Sequence, residues 1–276
     1  MTIVGLGLLG GSLAMAVRRT RPGTRIIGYA HRPATRRLAR RLKVVDDVTG
    51  DLQEAVGDSQ MVVLATPLST FPSLMAGMAG ALSPGAVVTD VGSTKVQVHA
   101  WAMEYLPKGI EFVGSHPMAG SEQRGLAAAR ADLFSGALCF VTSGRSDKGA
   151  GKGLVVDLWQ ELGCRVCQIN PVRHDRIVAG ISHVPQAVAV ALVNATNGRY
   201  IQFAGRGFKD TTRIASSDPR IWTDIFMTNA ANVKGGLDKV IRQLQSLQRS
   251  IGSMDRTGIR HHLAKARLKR RPIASF

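Results

Sequence analysis

Thr2-Ile3-Val4-Gly5-Leu6-Gly7-Leu8-Leu9-Gly10-Gly11-Ser12 opens the chain and decides its fold class. A β-branched triplet runs into G-x-G-x-x-G, and helical apolar spacing succeeds it over residues 13–18. Gly5 permits a tight turn out of the strand, Gly7 lets the backbone approach a pyrophosphate, and Gly10 allows close helix–strand packing. The helix N-terminus offers N–H groups to that anion. Gly5, Gly7, Leu8, Leu9 and Gly10 are therefore candidate cofactor-binding residues. The fingerprint alone also fits an ordinary glycine-rich turn, so the decision rests on the pattern of the residues beyond it.

That pattern is an alternation. Strand signals fall at residues 2–5, 25–29, 61–65, 86–91, 111–115, 137–142 and 165–169, with helical spacing between them, as over 34–42 and 95–105. Such a pattern predicts a mostly parallel sheet with helices on both faces and ligands at the carboxyl ends of the strands. Beyond Pro171 the strand signals stop. Residues 172–200, 219–249 and 259–269 read as helices, joined by a polar, glycine-containing stretch over 204–217. The expected fold class is an α/β Rossmann-like N-terminal domain, residues 1–170, followed by an all-helical domain, residues 171–276, with a basic C-terminal tail. Residues 144–153 superficially suggest a phosphate loop but lack the Ser or Thr that follows its lysine, and read as a surface turn.

The 276 residues are 45% hydrophobic and 20% charged, which excludes disorder as the dominant state and suits one large or two ordinary domains. The longest apolar stretch, residues 184–193, is interrupted by Pro185 and Gln186 and falls short of the roughly 20 residues of a membrane span. Met1 leads directly into a strand pattern without a charged leader, so a soluble, cytoplasmic protein is expected, with no membrane partner. Cys139, Cys164 and Cys167 make no closed disulfide framework. No second Cys/His pair completes a zinc site with the C-x-x-C, whose two side chains would face opposite ways on a strand, so no metal is expected.

The net charge of +17 is local. Residues 18–43 hold ten basic residues and no acid, and residues 256–271 hold seven more and no acid. Together they equal the whole excess, and the remainder of the chain is balanced. The second strand ends Gly28-Tyr29-Ala30-His31-Arg32, and the first acid in the chain is Asp46. The carboxylate that would hold the ribose 2′-hydroxyl of NAD is therefore missing. His31, Arg32 and Arg36, with Arg37 beside them, stand where a ribose 2′-phosphate would arrive, and an arginine binds that group through charge-assisted hydrogen bonds. NADP is favoured; NAD remains open if these arginines are only a solvated helix face. A nucleic-acid binder on a dinucleotide fold is the rival reading of the charge. An aromatic content of 5% and the absence of a helix-turn-helix or zinc pattern weigh against it.

Three clusters carry chemistry. Thr89-Asp90-Val91-Gly92-Ser93-Thr94-Lys95 closes the fourth predicted strand, and Gly114-Ser115-His116-Pro117-Met118-Ala119-Gly120-Ser121-Glu122 closes the fifth. Phe208-Lys209-Asp210-Thr211-Thr212-Arg213 and Ser217-Asp218-Pro219-Arg220-Ile221-Trp222 lie in the helical half. At these residues, and at residues 5–12, Pro67 and Ser182-His183-Val184-Pro185, the chain resembles the prephenate/arogenate (cyclohexadienyl) dehydrogenase family of tyrosine biosynthesis.

The resemblance implies an oxidative decarboxylation by NAD(P): prephenate to 4-hydroxyphenylpyruvate or, alternatively, arogenate to tyrosine, in a homodimer formed through the helical domain. It makes His116 the base that takes the proton of the substrate's 4-hydroxyl, a role suited to an imidazole. Ser93 would orient that hydroxyl or His116, and Arg213 would pair with a substrate carboxylate. Ser121, Glu122, His183, Gln186 and Trp222 match or adjoin substrate-pocket positions, and Thr66 and Pro67 complete the cofactor set. Gln186 stands where some relatives carry a histidine, which leaves prephenate against arogenate open.

Blander readings stand beside these. His116 fits a strand-end histidine with a satisfied backbone bond, and Ser93 a helix N-cap. Lys95 fits a surface charge, and Arg213 an ion-pair partner of Asp210 or Asp218. A rival dehydrogenase of the 3-hydroxy acid or imine-reducing type is disfavoured by His116-Pro117 together with Arg213. Tyrosine feedback through an appended domain is not expected.

Overall fold

The computed structural model describes residues 1–119, 123–144 and 149–271. Its centre is an eight-stranded sheet of β1 (Thr2–Val4), β2 (Ile27–Tyr29), β3 (Asp47–Thr49), β4 (Met61–Leu64), β5 (Val87–Asp90), β6 (Glu111–Pro117), β7 (Leu138–Thr142) and β8 (Arg165–Ile169), in the order β3-β2-β1-β4-β5-β6-β7-β8. The order reverses between β1 and β4, which opens a crevice at their carboxyl ends. All neighbours are parallel except β6 and β7, which run antiparallel with His116 opposite Phe140 and Pro117 opposite Cys139.

One strand escapes the sequence pattern. β3 is a three-residue edge strand, Asp47-Val48-Thr49, of which only Val48 is buried, too short to alternate visibly.

Helices cover both faces of the sheet, among them the short α2 (Pro33–Leu42) and α3 (Leu52–Val56). On one face α1 (Leu8–Thr20) and α6 (Gly151–Glu161) place Leu13, Val17 and Trp159 in a core with Ile3 and Phe134. On the other, α4 (Phe71–Met78) and α5 (Val96–Tyr105) pack Phe71, Met75 and Val98 against Val62 and Val88. The N-terminus of α6 is occupied by the Glu111 carboxylate, which accepts from the backbone N–H of Gly151 at 2.9 Å and Lys152 at 3.2 Å. The predicted turn preceding α6 falls partly on residues 145–148, outside the described residues.

After Ile169 the described chain is helical, and local chemistry sets the starts. Asn170 caps α7 (Pro171–Val178) and Asp218 caps α10 (Pro219–Thr228), each with proline at the first helical position, and Asp255 caps α12 (Arg256–Arg270). α7 continues through a π turn, Ala179–His183, into α8 (Val184–Ala195). The result is one helix from Pro171 to Ala195, 25 residues long and apolar enough to cross a membrane by length and composition alone, so the shorter apolar stretch seen in the sequence is extended. Its buried positions include the polar side chains of His174, Asp175, His183 and Gln186.

The stretch at 204–217, expected as a connection, contains α9 (Arg206–Thr212) and a 3₁₀ turn, and the single helix expected over 219–249 breaks at Asn229 before α11 (Ala230–Gly252).

The change from strands to helices and the division into compact units fall at different places. By packing, the chain separates into Met1–Ala230 and Ala231–Phe276. The helices from 171 to 229 belong with the sheet domain because they hydrogen-bond to the loops and helices that flank the sheet: Asp175 to Lys95 and Val96, Thr228 to Thr94, and Asp224 to Ser69. The second unit consists of α11 and α12, in which Ser246 Oγ meets His262 Nε2 at 3.3 Å.

Candidate active site

At the crevice, each fingerprint glycine shows its own constraint. Gly5 has φ +104°, a region L side chains rarely adopt, and a Cβ on Gly10 would lie 1.9 Å from the Gly5 carbonyl oxygen. At Gly7, a Cβ would meet nothing within 4 Å, although Gly7 directly precedes α1. That open space, at a helix N-terminus with no acid in its first turn, fits a pyrophosphate. A cavity of about 390 Å³ opens there, and its wall includes Gly7, Leu8, Leu9, Thr66 and Pro67. Ser93 and Trp222 line it further along.

At the adenosine end, His31, Arg32 and Arg37 are exposed. Arg36 is half-buried, and its Nη1 donates to the carbonyls of Ala30 and His31, both at 2.8 Å. Its first task is to fasten the end of β2, which leaves Arg32 and Arg37 as the more available cations.

The chemistry end is buried. Asp90, at the end of β5, accepts from the backbone N–H of Gly92 at 2.8 Å and Ser115 at 3.1 Å and pairs with the ammonium of Lys95, which also donates to the Ser115 carbonyl at 2.8 Å. Both side chains are 0% exposed, so Lys95 is no surface charge. Burial pushes the Asp90 carboxyl up and the Lys95 ammonium down, each opposed by the other's charge. This pair ties β5 to β6 immediately before His116.

His116 is 8% exposed, and its Nδ1 lies 2.9 Å from Nε2 of His174, whose Nδ1 lies 2.7 Å from Asp175 Oδ1. Burial, followed by the neighbouring His174, Lys95 and His183, holds the His116 imidazole well below its usual range. A neutral, desolvated imidazole of this kind can accept a proton at ordinary pH. Asp175 also supplies the N-terminal cap of α5, accepting from the N–H of Lys95 at 2.7 Å and of Val96 at 2.9 Å. Capping by Ser93 is thereby replaced, and among the described residues no hydrogen bond engages its hydroxyl.

The remaining predicted residues separate. His183 is buried, bonds Asn229 at 3.1 Å, and packs edge-on against Trp222 with ring centroids 5.9 Å apart. Burial brings its pKa down to about 4. Gln186, three residues on, is 2% exposed, and its Oε1 has no hydrogen-bond partner among the described residues. Arg213 is exposed on the 3₁₀ turn and is not part of the cavity wall. Asp218, offered as its partner, pairs instead with Arg124 at 3.0 Å and Arg220 at 3.1 Å. Ser121 and Glu122 lie outside the described residues. His116 and His183 are likewise not in the cavity wall, which reaches the chemistry end through Ser93 and Trp222. Cys164 is buried and donates to the Phe134 carbonyl at 3.3 Å while Cys167 is half-buried, and the described residues contain no metal-holding cluster.

Sequence reasoning missed His174, Asp175 and Asn229. His174-Asp175 sits in Arg173-His174-Asp175-Arg176, which reads as a solvated first turn; only the burial of the dyad against α5 reveals it.

Residues 13–168 match the prephenate dehydrogenase nucleotide-binding domain, and residues 170–265 match the prephenate dehydrogenase dimerization domain. The chain belongs to the prephenate dehydrogenase family. A prephenate dehydrogenase of Bacillus subtilis is 35% identical over 92% of this chain and 70% of its own length, and a cyclohexadienyl dehydrogenase of Zymomonas mobilis is 32% identical over 98% and 94%. Among solved structures, prephenate dehydrogenase from A. aeolicus, in complex with hydroxyphenyl propionate and NAD+, superposes with TM-score 0.92 at 32% identity, covering 99% of this chain and 97% of that one. A Synechocystis arogenate dehydrogenase superposes at TM-score 0.84 and 28% identity, covering 99% of each chain. The protein is a nicotinamide-dependent oxidoreductase of the prephenate/arogenate class.

Proposed function

We propose that this enzyme oxidises and decarboxylates prephenate to 4-hydroxyphenylpyruvate with NADP+, His116 being the base. The observation that carries the reading is the imidazole of His116, buried at the carboxyl edge of β6, one strand from Ser93 at the mouth of β5. Gly7, Leu8 and the N-terminus of α1 would hold the pyrophosphate, and Arg32 and Arg37 the ribose phosphate. The bound nicotinamide supplies the hydride acceptor. His116 Nε2 takes the 4-hydroxyl proton as hydride leaves the ring carbon, so positive charge does not accumulate on oxygen. Carbon dioxide then departs, its bonding pair enters the ring, and His116 returns the proton to the resulting phenolate. Ser93 orients the hydroxyl. His183, Gln186 and Trp222 face the remainder of the substrate, with Arg213, Ser121 and Glu122 as further contacts.

A second reading is arogenate, favoured by one observation. The unpartnered Oε1 of Gln186 would accept a hydrogen bond from a substrate ammonium, and the keto group of prephenate offers no such donor. The match of residues 170–265 to a dimerization domain supports a homodimer. Exposed Ile181, Leu192 and Phe203 in the first unit, and Leu244, Leu263 and Leu268 in the second, supply apolar surface for it. The setting that suits such a biosynthetic dehydrogenase is the cytoplasm.

The test is nicotinamide reduction with prephenate or arogenate, each with NAD+ or NADP+. Prephenate with NADP+ is expected to be fastest, and no reduction with any pair refutes the reading. His116→Asn should lower kcat about 1000-fold while cofactor binding persists; a variant at wild-type rate would show that another group is the base.

A further inference from the structure

Among the buried polar side chains with no part in the reaction as written are His174, Asp175 and Asn229. We propose that His174 and Asn229 are positioning residues that hold the two site histidines in opposite tautomers, His116 with a bare acceptor at Nε2 and His183 with an N–H donor at Nε2. The proposal rests on His116 being the base.

The first branch starts at Asp175. Its Oδ2 accepts from the backbone N–H of Val96 and its Oδ1 from that of Lys95, so the group facing His174 Nδ1 at 2.7 Å is an acceptor. The proton of His174 must therefore sit on Nδ1. Burial keeps that ring neutral, which leaves a lone pair on its Nε2. His116 Nδ1 lies 2.9 Å from this lone pair, and two lone pairs cannot share a hydrogen bond, so His116 carries its proton on Nδ1. In the neutral ring Nε2 is then bare. Phe140 packs edge-on against His174, with centroids 5.2 Å apart, and closes the chain of bonds on one side.

The second branch runs through Asn229. Its Nδ2 is 2.8 Å from the Asp175 backbone carbonyl, which fixes the orientation of the amide because two oxygens cannot bond there. The same nitrogen is 3.1 Å from His183 Nδ1, so its two hydrogens serve the carbonyl and the imidazole. His183 Nδ1 accepts, and the single proton of a ring with pKa about 4 is left on Nε2. The π turn, Ala179–His183, lies between the two branches on the same helix.

The consequence is a division of labour set by one helix. His116 can accept from a substrate hydroxyl. Once it does, its Nδ1–H still points at His174, and Asp175 supplies the countercharge. The other groups around it are Lys95 before α5, Cys139 on β7 and His183 on the π turn, while Asp90 on β5 acts on His174; a charged His174, Lys95 and His183 each oppose the imidazolium. His183 can only donate, which suits a carbonyl or carboxylate oxygen of the substrate.

The test is ¹⁵N-histidine labelling of the full chain with long-range ¹H–¹⁵N NMR, which reports the protonated nitrogen of each ring without substrate. The expected spectrum shows His116 as Nδ1–H and His183 as Nε2–H. His116 found as Nε2–H overturns the proposal. His174→Leu should release the His116 tautomer, lower kcat about 100-fold with little change in KM, and move the acid limb of the rate profile to lower pH. His174→Gln, whose amide can accept from His116 and donate to Asp175, should recover most of kcat. Equal losses in both variants with the His116 tautomer unchanged would also overturn it, and if the leucine variant does not fold, the wild-type spectrum and the glutamine variant decide. Asn229→Ala should raise KM about tenfold with kcat nearly unchanged. Absent turnover with either substrate would refute the reaction assignment, while the spectrum would still decide the network.

Discussion

The two ends of the crevice solve opposite problems. The cofactor end is made of backbone and exposed side chains: an open Gly7, a helix terminus, and arginines in solvent. The chemistry end is made of buried charges and imidazoles, Asp90–Lys95 and Asp175–His174–His116. Surface groups act mainly by where the chain places them. Buried groups have their chemistry rewritten by desolvation, and they are costly to disturb.

The contrast is sharpest at Lys95. Lys95→Met leaves Asp90 charged and unpaired in the interior and should cost about 3–5 kcal/mol, measured by denaturant unfolding. A loss under 1 kcal/mol would mean that water reaches the pair and that this end is not dry. Gly10 and Gly7 divide the cofactor end in the same manner. Gly10→Ala drives a Cβ into the Gly5 carbonyl and should destabilise by about 3 kcal/mol, whereas Gly7→Ala should keep wild-type stability and weaken dinucleotide binding, read by titration calorimetry. Equal stability losses in the two variants would erase the distinction.

Acid should attack the buried end first. His99, on α5 with its Nε2 2.9 Å from Thr142 Oγ1, and His183 are both lowered to about 4, chiefly by burial. Above the unfolded value of roughly 6.5 both states are neutral and the full stability is present. As pH falls from there toward 4, the unfolded chain binds protons that the folded rings refuse, so stability falls, and the loss levels off below 4. At pH near 5 each histidine should cost about 2 kcal/mol. Melting temperatures across this window check it, and an unchanged value would show these rings to be solvated. The smallest effect is expected at the surface: Arg32→Ala should raise KM for NADP+ about tenfold and leave NAD+ unaffected. Equal effects on both cofactors would remove the arginine argument.

Legibility divides along the same line. The glycine fingerprint, the β-α alternation and the missing acid at the end of β2 are local patterns, and the structure has the sheet and the crevice where they point. His116 and Ser93 are visible as residues that come directly after strand patterns. Lys95 reads as a surface charge because its i+5 relation to Asp90 has no local signature, and β3 is too short to show a period. Asp175 looks like a polar residue in a first helical turn; its role as the cap of another helix, 79 and 80 residues away, is a matter of packing alone.

The sequence by itself determined the fold class, the dinucleotide crevice and the candidate base, because glycine conformations, strand periodicity and chain order are properties of neighbouring residues. Tertiary structure alone decided which polar groups are buried and which partners they face. Desolvation and hydrogen-bond partnership depend on segments far apart in the chain: the surroundings of His116 are made by the pairing of β5 with β6 and by the docking of the 171–195 helix against α5.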